Sequence, residues 1–181
     1  MDAQFQRHDG TTAKAVLEEL VDVYAEVYNV PPYIGDPFFS VQSYRDRLLA
    51  AFDMPGFETV TASQDGQIIG YVHGVTLASD RAWWVSLGND RPEELRRTAE
   101  DGQIFWLREL MVRPDHTNQG LGRQLHDTVI AGRAETVTTL TCIIDNQPAH
   151  DAYLRWGYSM MGQIKHAPES PVYDAMFLPS S

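Results

Sequence analysis

"VRPDHTNQGLGRQLHDTVI", residues 112–130, runs from a strand end through a polar loop with glycines at 120 and 122 into an amphipathic helix. Leu121, Leu125 and Val129 share one stripe, which settles the face this helix buries and leaves its N-terminus projecting from the end of the preceding strand. The first backbone N–H groups of a helix lack intrahelical acceptors, and together with the helix dipole they favour an anion. Gly120 and Gly122 remove the side chains that would keep a bulky anion from that backbone, so phosphate or diphosphate is the natural guest. Local charge agrees. Residues 104–133 contain four arginines (108, 113, 123, 133) against three acids (Glu109, Asp115, Asp127), a surplus of one positive charge in a chain of formal net charge -11. Taken alone, a G-x-G turn also reads as a plain joint between strand and helix. A Walker loop is excluded because Arg123-Gln124 stands where Lys and Ser or Thr must follow. A dinucleotide fingerprint is excluded because its third glycine is missing and the turn falls two-thirds along the chain.

Working outward, "TAKAVLEELVDVYAEVY" carries apolar residues at helical spacing, with Thr11 and Thr12 as candidate caps. The loop "NVPPYIGDPFF" is interrupted by prolines and rich in aromatics; "SVQSYRDRLLAAF" then predicts a second helix capped by its serine. "FETVTAS" and "QIIGYVHGVTL" read as strands of a hairpin turning at Asp65-Gly66. Residues 78–102 break the pattern, and we read them as an insertion with Trp83, Trp84 and a charged helix. "QIFWLRELMVRP" and "VTTLTCII" are strands on either side of the quoted helix; "NQPAHDAYLRWG" is a helix with Pro148 in its first turn, and "YSMMGQI" and "VYDAMFL" are closing strands. With no repeat, low-complexity tract or linker, residues 1–181 are expected to form a single α/β domain.

The chain has 181 residues, 43% of them hydrophobic and 22% charged, ordinary values for a globular protein. No apolar run reaches the roughly 18 residues of a membrane span, and "MDAQFQRHDG" lacks the regions of a signal peptide, so a cytoplasmic protein without a membrane partner is expected. The acidic balance makes nucleic acid an unfavoured partner and a cationic substrate a favoured one. The single Cys142 reads as a buried small hydrophobe rather than a nucleophile, and the histidines show no metal-ligand spacing.

From about Ile104 to Gly162 the chain resembles the GNAT superfamily of acyl-CoA N-acyltransferases. "LMVRPDHTNQGLGRQLHD" is similar to that family's motif A, a strand followed by a Q/R-x-x-G-x-G/A loop and a helix. "DNQPAHDAYLRWGYSMMG" is similar to its motif B, in which an Asn precedes a helical Tyr by seven residues and a Gly-aromatic pair closes the helix, here Asn146, Tyr153 and Gly157-Tyr158. The earlier order of a strand, two helices and antiparallel strands also matches. The resemblance implies a mixed sheet of about six or seven strands flanked by about four main helices, with two parallel strands splayed at an acetyl-CoA site. It implies acetyl-CoA as acyl donor, no metal, and transfer to an amine by direct attack in a ternary complex. One departure is that Thr117 stands at the family's usual Gln or Arg, and Asn118 where Arg or Gly is frequent. Cofactor binding is therefore expected to lean on backbone N–H groups of Gln119, Gly120, Leu121, Gly122 and Arg123, with Thr117 and Asn118 as neutral donors and Asn146 and Tyr153 contributing. The pantetheine arm is expected along the backbone of Leu110, Met111 and Val112, as an added strand.

By the same resemblance Tyr153 is the general acid for the departing thiolate; the bare sequence allows a core aromatic instead. Glu109 is the candidate base. On an alternating strand it shares a face with Phe105, Leu107 and Met111, so it is either raised in pKa beside the substrate or held by a partner such as Arg108. His73 is a second candidate base, though a lone strand histidine also reads as hydrogen-bonded core. The backbone N–H of Val112 or Met111 is expected to stabilise the oxyanion. Tyr28, Tyr33, Phe38, His73, Trp83 and Trp84 are candidate acceptor-site residues, a set of aromatics suited to a cationic amine. The leading expectation is a small-molecule amine acetyltransferase, monomeric or homodimeric and possible in a detoxification or resistance role. A protein N-terminal or lysine acetyltransferase and a non-catalytic acyl-CoA-binding module are the alternatives.

Overall fold

The computed structural model describes residues 2–179. Seven strands are present among them: β1 (Gln4–Asp9), β2 (Glu58–Gln64), β3 (Gln67–Thr76), β4 (Ile104–Val112), β5 (Val137–Ile143), β6 (Ser159–Ile164) and β7 (Tyr173–Pro179). The α-helices are α1 (Leu17–Val27), α2 (Val41–Phe52), α3 (Ala82–Ser86), α4 (Glu93–Glu100), α5 (Leu121–Ala131) and α6 (Gln147–Arg155). The strands hydrogen-bond in the order β1-β2-β3-β4-β5-β7-β6, a mixed sheet. The chain divides into two compact units: the first takes the chain up to Val75 together with Arg108–Arg133, the second Thr76–Leu107 with the chain from Ala134 on. No helix among the described residues is long and apolar enough to cross a membrane.

In the first unit β1, β2 and β3 form an antiparallel meander, with Arg7 opposite Val60 and Val60 opposite Val72. The hairpin turns where expected. Asp65 (φ 53°) and Gly66 (φ 79°) both take the left-handed backbone that a two-residue turn between twisted strands requires. Ser40 caps α2 by accepting from Ser43 N at 3.1 Å, as its position implied. The first helix starts differently. Residues 12–16 wind as a 3-10 turn before α1, and Thr11 makes no side-chain cap. Asp9 and Thr12 instead cap each other, with Thr12 N donating to Asp9 Oδ1 (2.8 Å) and Asp9 N donating to Thr12 Oγ1 (3.1 Å). α5 packs its Leu121, Leu125 and Val129 stripe inward, and the approach is close at Gly70. A Cβ there would lie 2.8 Å from Met111 O and 3.3 Å from Leu125 Cδ1, so the β3–β4–α5 contact needs glycine.

In the second unit β5 and β7 pair antiparallel along their whole length, and β6 pairs with β7. The insertion folds as α3 and α4, and both of its indoles are interior: Trp83 and Trp84 are 3% and 1% exposed. Cys142 is buried on β5, and burial pushes its thiol up to about 11, in keeping with a packing role.

Candidate active site

The loop into α5 has the backbone that an anion site needs. Asn118 (φ 62°) and Gly120 (φ 78°) are both left-handed, which turns successive N–H groups toward one side of the loop. α2 and α6 begin with side-chain caps, from Ser40 and Asn146; α5 begins at Gly120 with none. A Cβ added at Gly120 or Gly122 would meet no atom within 4 Å, so the space beside both residues is open. Donors without acceptors, facing open space at a helix start, fit a diphosphate. Two side chains depart from expectation. The hydroxyl of Thr117 donates to Pro114 O at 2.9 Å and is not available as a phosphate donor in this conformation. The guanidinium of Arg123 reaches along the helix to Asp127, with Nε 3.2 Å from Oδ2, so its contribution to the loop is its backbone N–H.

β4 supplies the second element. Its parallel register with β5 runs from Ile104–Val137 to Trp106–Thr139.

Glu109 lies on this strand, beside a tyrosine cluster that the sequence did not point to. Tyr24 stacks on Tyr44 with centroids 3.8 Å apart, and Tyr28 stacks on Tyr24 at 4.4 Å. Tyr28 and Tyr33 pack with Phe39, and Phe39 packs with Phe38, so three of the expected acceptor-site aromatics belong to one assembly. Behind it runs a buried proton chain. Tyr71 donates to Leu20 O (3.1 Å), so the 2.5 Å contact between Tyr44 and Tyr71 is a donation from Tyr44. The Tyr44 oxygen then accepts Nε2–H of His73 at 3.2 Å, which leaves His73 Nδ1 as the bare nitrogen, buried without a partner. Burial, with Arg108 as a lesser cause, holds the His73 imidazole neutral, far below its ordinary range. A neutral ring closed off from water makes His73 a core residue and a poor base.

Between the two expectations for Glu109, burial wins. Its carboxyl is pushed up to about 7 by removal from water, against the opposing pull of Arg47 and then Arg108. Arg108 donates from Nη1 to Met54 Sδ (3.2 Å) and acts on Glu109 through its charge, as the lesser of the two guanidiniums. The same burial, with Glu109 as the next cause, raises the Tyr24 phenol above its ordinary value. The immediate surroundings of Glu109 are thus aromatic and crossed by two guanidiniums, and the acidic balance of the whole chain is not repeated there.

Tyr153 lies in the second unit, on α6. Asn146 caps that helix by accepting from Ala149 N (3.3 Å), and His150 ties it to β7 through Nε2 and Asp174 Oδ2 at 3.1 Å. The seven-residue spacing from Asn146 to Tyr153 is therefore that of a cap and a side chain two turns along the same helix. The Tyr153 ring is half-buried against Trp156 (5.4 Å) and Tyr158 (5.6 Å). Trp83 and Trp84, expected as acceptor walls, are core: Trp83 packs on Trp84 and Trp106, and Arg91 lies over Trp84. Sequence reasoning also passed over Arg47. Its signal was slight, one of two arginines in a short amphipathic helix.

The model of the acetyltransferase (GNAT) family matches residues 17–158. The chain belongs to the GNAT family. Membership makes it an acyltransferase with acetyl-CoA as donor. No curated protein matches the sequence. Among solved structures, the chain is similar to the PaiA N-acetyltransferase of Thermoplasma acidophilum in complex with coenzyme A (14% identity, TM-score 0.62, 99% of each chain covered). It is also similar to the ribosomal-protein-S18-alanine N-acetyltransferase of Escherichia coli (14% identity, TM-score 0.64, covering 99% of this chain and 94% of that one). A third similar structure is an aminoglycoside 6'-acetyltransferase type Ii (14% identity, TM-score 0.64, covering 97% and 96%). At these identities the likeness is one of fold, and protein-directed and small-molecule enzymes share it equally.

Proposed function

We propose that this GNAT enzyme transfers an acetyl group from acetyl-CoA to the amine of a small molecule, by direct attack with both substrates bound. The backbone N–H groups from Gln119 to Arg123 hold the diphosphate, and the β4 backbone at Leu110, Met111 and Val112 takes the pantetheine arm. Bound acetyl-CoA supplies an acetyl group activated as a thioester. Glu109 removes the proton from the incoming ammonium, directly or through water. Backbone N–H at Met111 or Val112 donates to the thioester oxygen as charge develops. Tyr153 gives a proton or hydrogen bond to the departing thiolate.

The observation that carries this reading is the place of Glu109, a β4 carboxyl beside the stacked Tyr24 and Tyr44, whose burial pushes it up to about 7, where a general base is poised near neutral pH. The half-exposed aromatics Tyr28, Tyr33 and Phe38 support a small acceptor over an extended peptide, because ring faces suit a compact ligand. Thiol release from acetyl-CoA, followed with amino acids, polyamines, aminoglycosides and peptides, tests it. Turnover confined to peptides with a free N-terminus or lysine would move the enzyme to the protein-directed class. Binding of acetyl-CoA with no transfer to any amine would make it a binding module.

A further inference from the structure

Arg47 has no assigned part in acetyl transfer, yet it is placed as a recognition group. It projects from α2 with its guanidinium 5.0 Å above the Phe38 ring and 5.8 Å from the Tyr44 ring. Its Nη1 donates to Phe38 O at 3.0 Å and another donor meets the Tyr24 hydroxyl. A guanidinium has about five N–H donors in a fork that matches a carboxylate, so these contacts hold its plane without using it up. Arg7, Arg45, Arg96, Arg97, Arg113 and Arg123 each lie within reach of a carboxylate. Among the described residues Arg47 is in no ion pair, although the chain carries 25 acidic side chains against 14 basic ones. Glu109 lies within reach of its charge, which opposes the burial of that carboxyl. A half-buried cation without a counter-ion is costly, and here it is pinned by two rings beside the base.

We infer that the acceptor amine also carries a carboxylate, that it belongs to the amino-acid class, and that Arg47 holds its carboxylate while Glu109 serves its amine. This rests on the acetyltransferase reading above and narrows its acceptor. It also replaces a cationic acceptor with a zwitterion, since the charges beside Glu109 are guanidiniums.

The test is calorimetric binding of the proteinogenic amino acids, each paired with its α-carboxamide, to the full-length protein saturated with CoA. At least one amino acid is expected to bind about 10- to 100-fold more tightly than its amide, the range of a charge-assisted pair. Arg47→Gln should erase that preference while the melting-temperature shift produced by acetyl-CoA stays unchanged. Arg47→Lys, which keeps the charge and loses the fork, should retain part of it and serves if the glutamine variant fails to fold. Amides that bind as well as acids, no amino acid bound, or a preference that survives both substitutions would each overturn the inference. A failure of the wider reading looks different: the wild-type protein would show no stabilisation by acetyl-CoA at all.

Discussion

Tyr24 and Tyr44 stack face to face, 3.8 Å apart and at 8° to one another, and thereby tie α1 to α2 beside Glu109. Both phenols spend their protons inward, Tyr24 on Phe39 O and Tyr44 on Tyr71. Neither proton is directed to the Glu109 carboxylate, so its burial is not offset by a phenol hydrogen bond. This arrangement is why the carboxyl titrates near neutrality.

A base with a raised pKa works only when deprotonated, so kcat/KM for a given amine should rise with pH through about 7. Glu109→Gln preserves shape and removes the base. Its expected result is a lower kcat/KM, with the limb near 7 lost and only the amine's own titration left. An unchanged pH profile would exclude Glu109 as the base.

The same shift makes a stability prediction with a definite sign. The folded carboxyl holds its proton up to about 7, against an ordinary value of 4.5, so the folded state binds more protons than the unfolded one between these limits. Stability should therefore fall as pH rises through that window. Melting temperatures measured from pH 5 to pH 8 should show Glu109→Gln matching the wild type at the acid end and exceeding it at the alkaline end.

Tyr153→Phe keeps the contacts with Trp156 and Tyr158 and removes only the hydroxyl. Turnover should drop about 10- to 1000-fold with acetyl-CoA affinity nearly unchanged. Equal losses of binding and turnover would make the residue a packing group.

At Gly120 the left-handed backbone and the open space beside it allow strain and site effects to be separated. Gly120→Ala should cost about 1 kcal/mol of stability, because a Cβ disfavours positive φ. Gly120→Glu should carry a similar strain and in addition abolish the thermal shift produced by acetyl-CoA, through clash and repulsion with the diphosphate. Retention of that shift in the glutamate variant would move the cofactor away from the loop.

Gly70→Ala probes the fold beneath the loop. The added methyl would sit 2.8 Å from Met111 O, and backbone cannot yield as a side chain tip does. Denaturant unfolding should register a loss of about 1–3 kcal/mol, in the range of overpacked cores.

Local features of the chain were legible without coordinates. The Asp65-Gly66 turn, the Ser40 cap, the buried stripe of α5 and the loop at Gly120 each depend on residues near one another in sequence, whose backbone preferences act wherever the segment lies. What decided the chemistry at Glu109 was not local. Tyr24, Tyr44 and Tyr71 come from α1, α2 and β3, and no spacing rule links them; only packing sets their rings together and directs the Tyr44 proton toward Tyr71. Glu109 had two open readings in the sequence because a carboxyl's pKa depends on what surrounds it in three dimensions, and tertiary burial settled the balance against two guanidiniums. Burial likewise turned Trp83 and Trp84 from expected acceptor walls into core, and gave His73 to Tyr44, since an aromatic side chain serves equally well in either place until the fold assigns it.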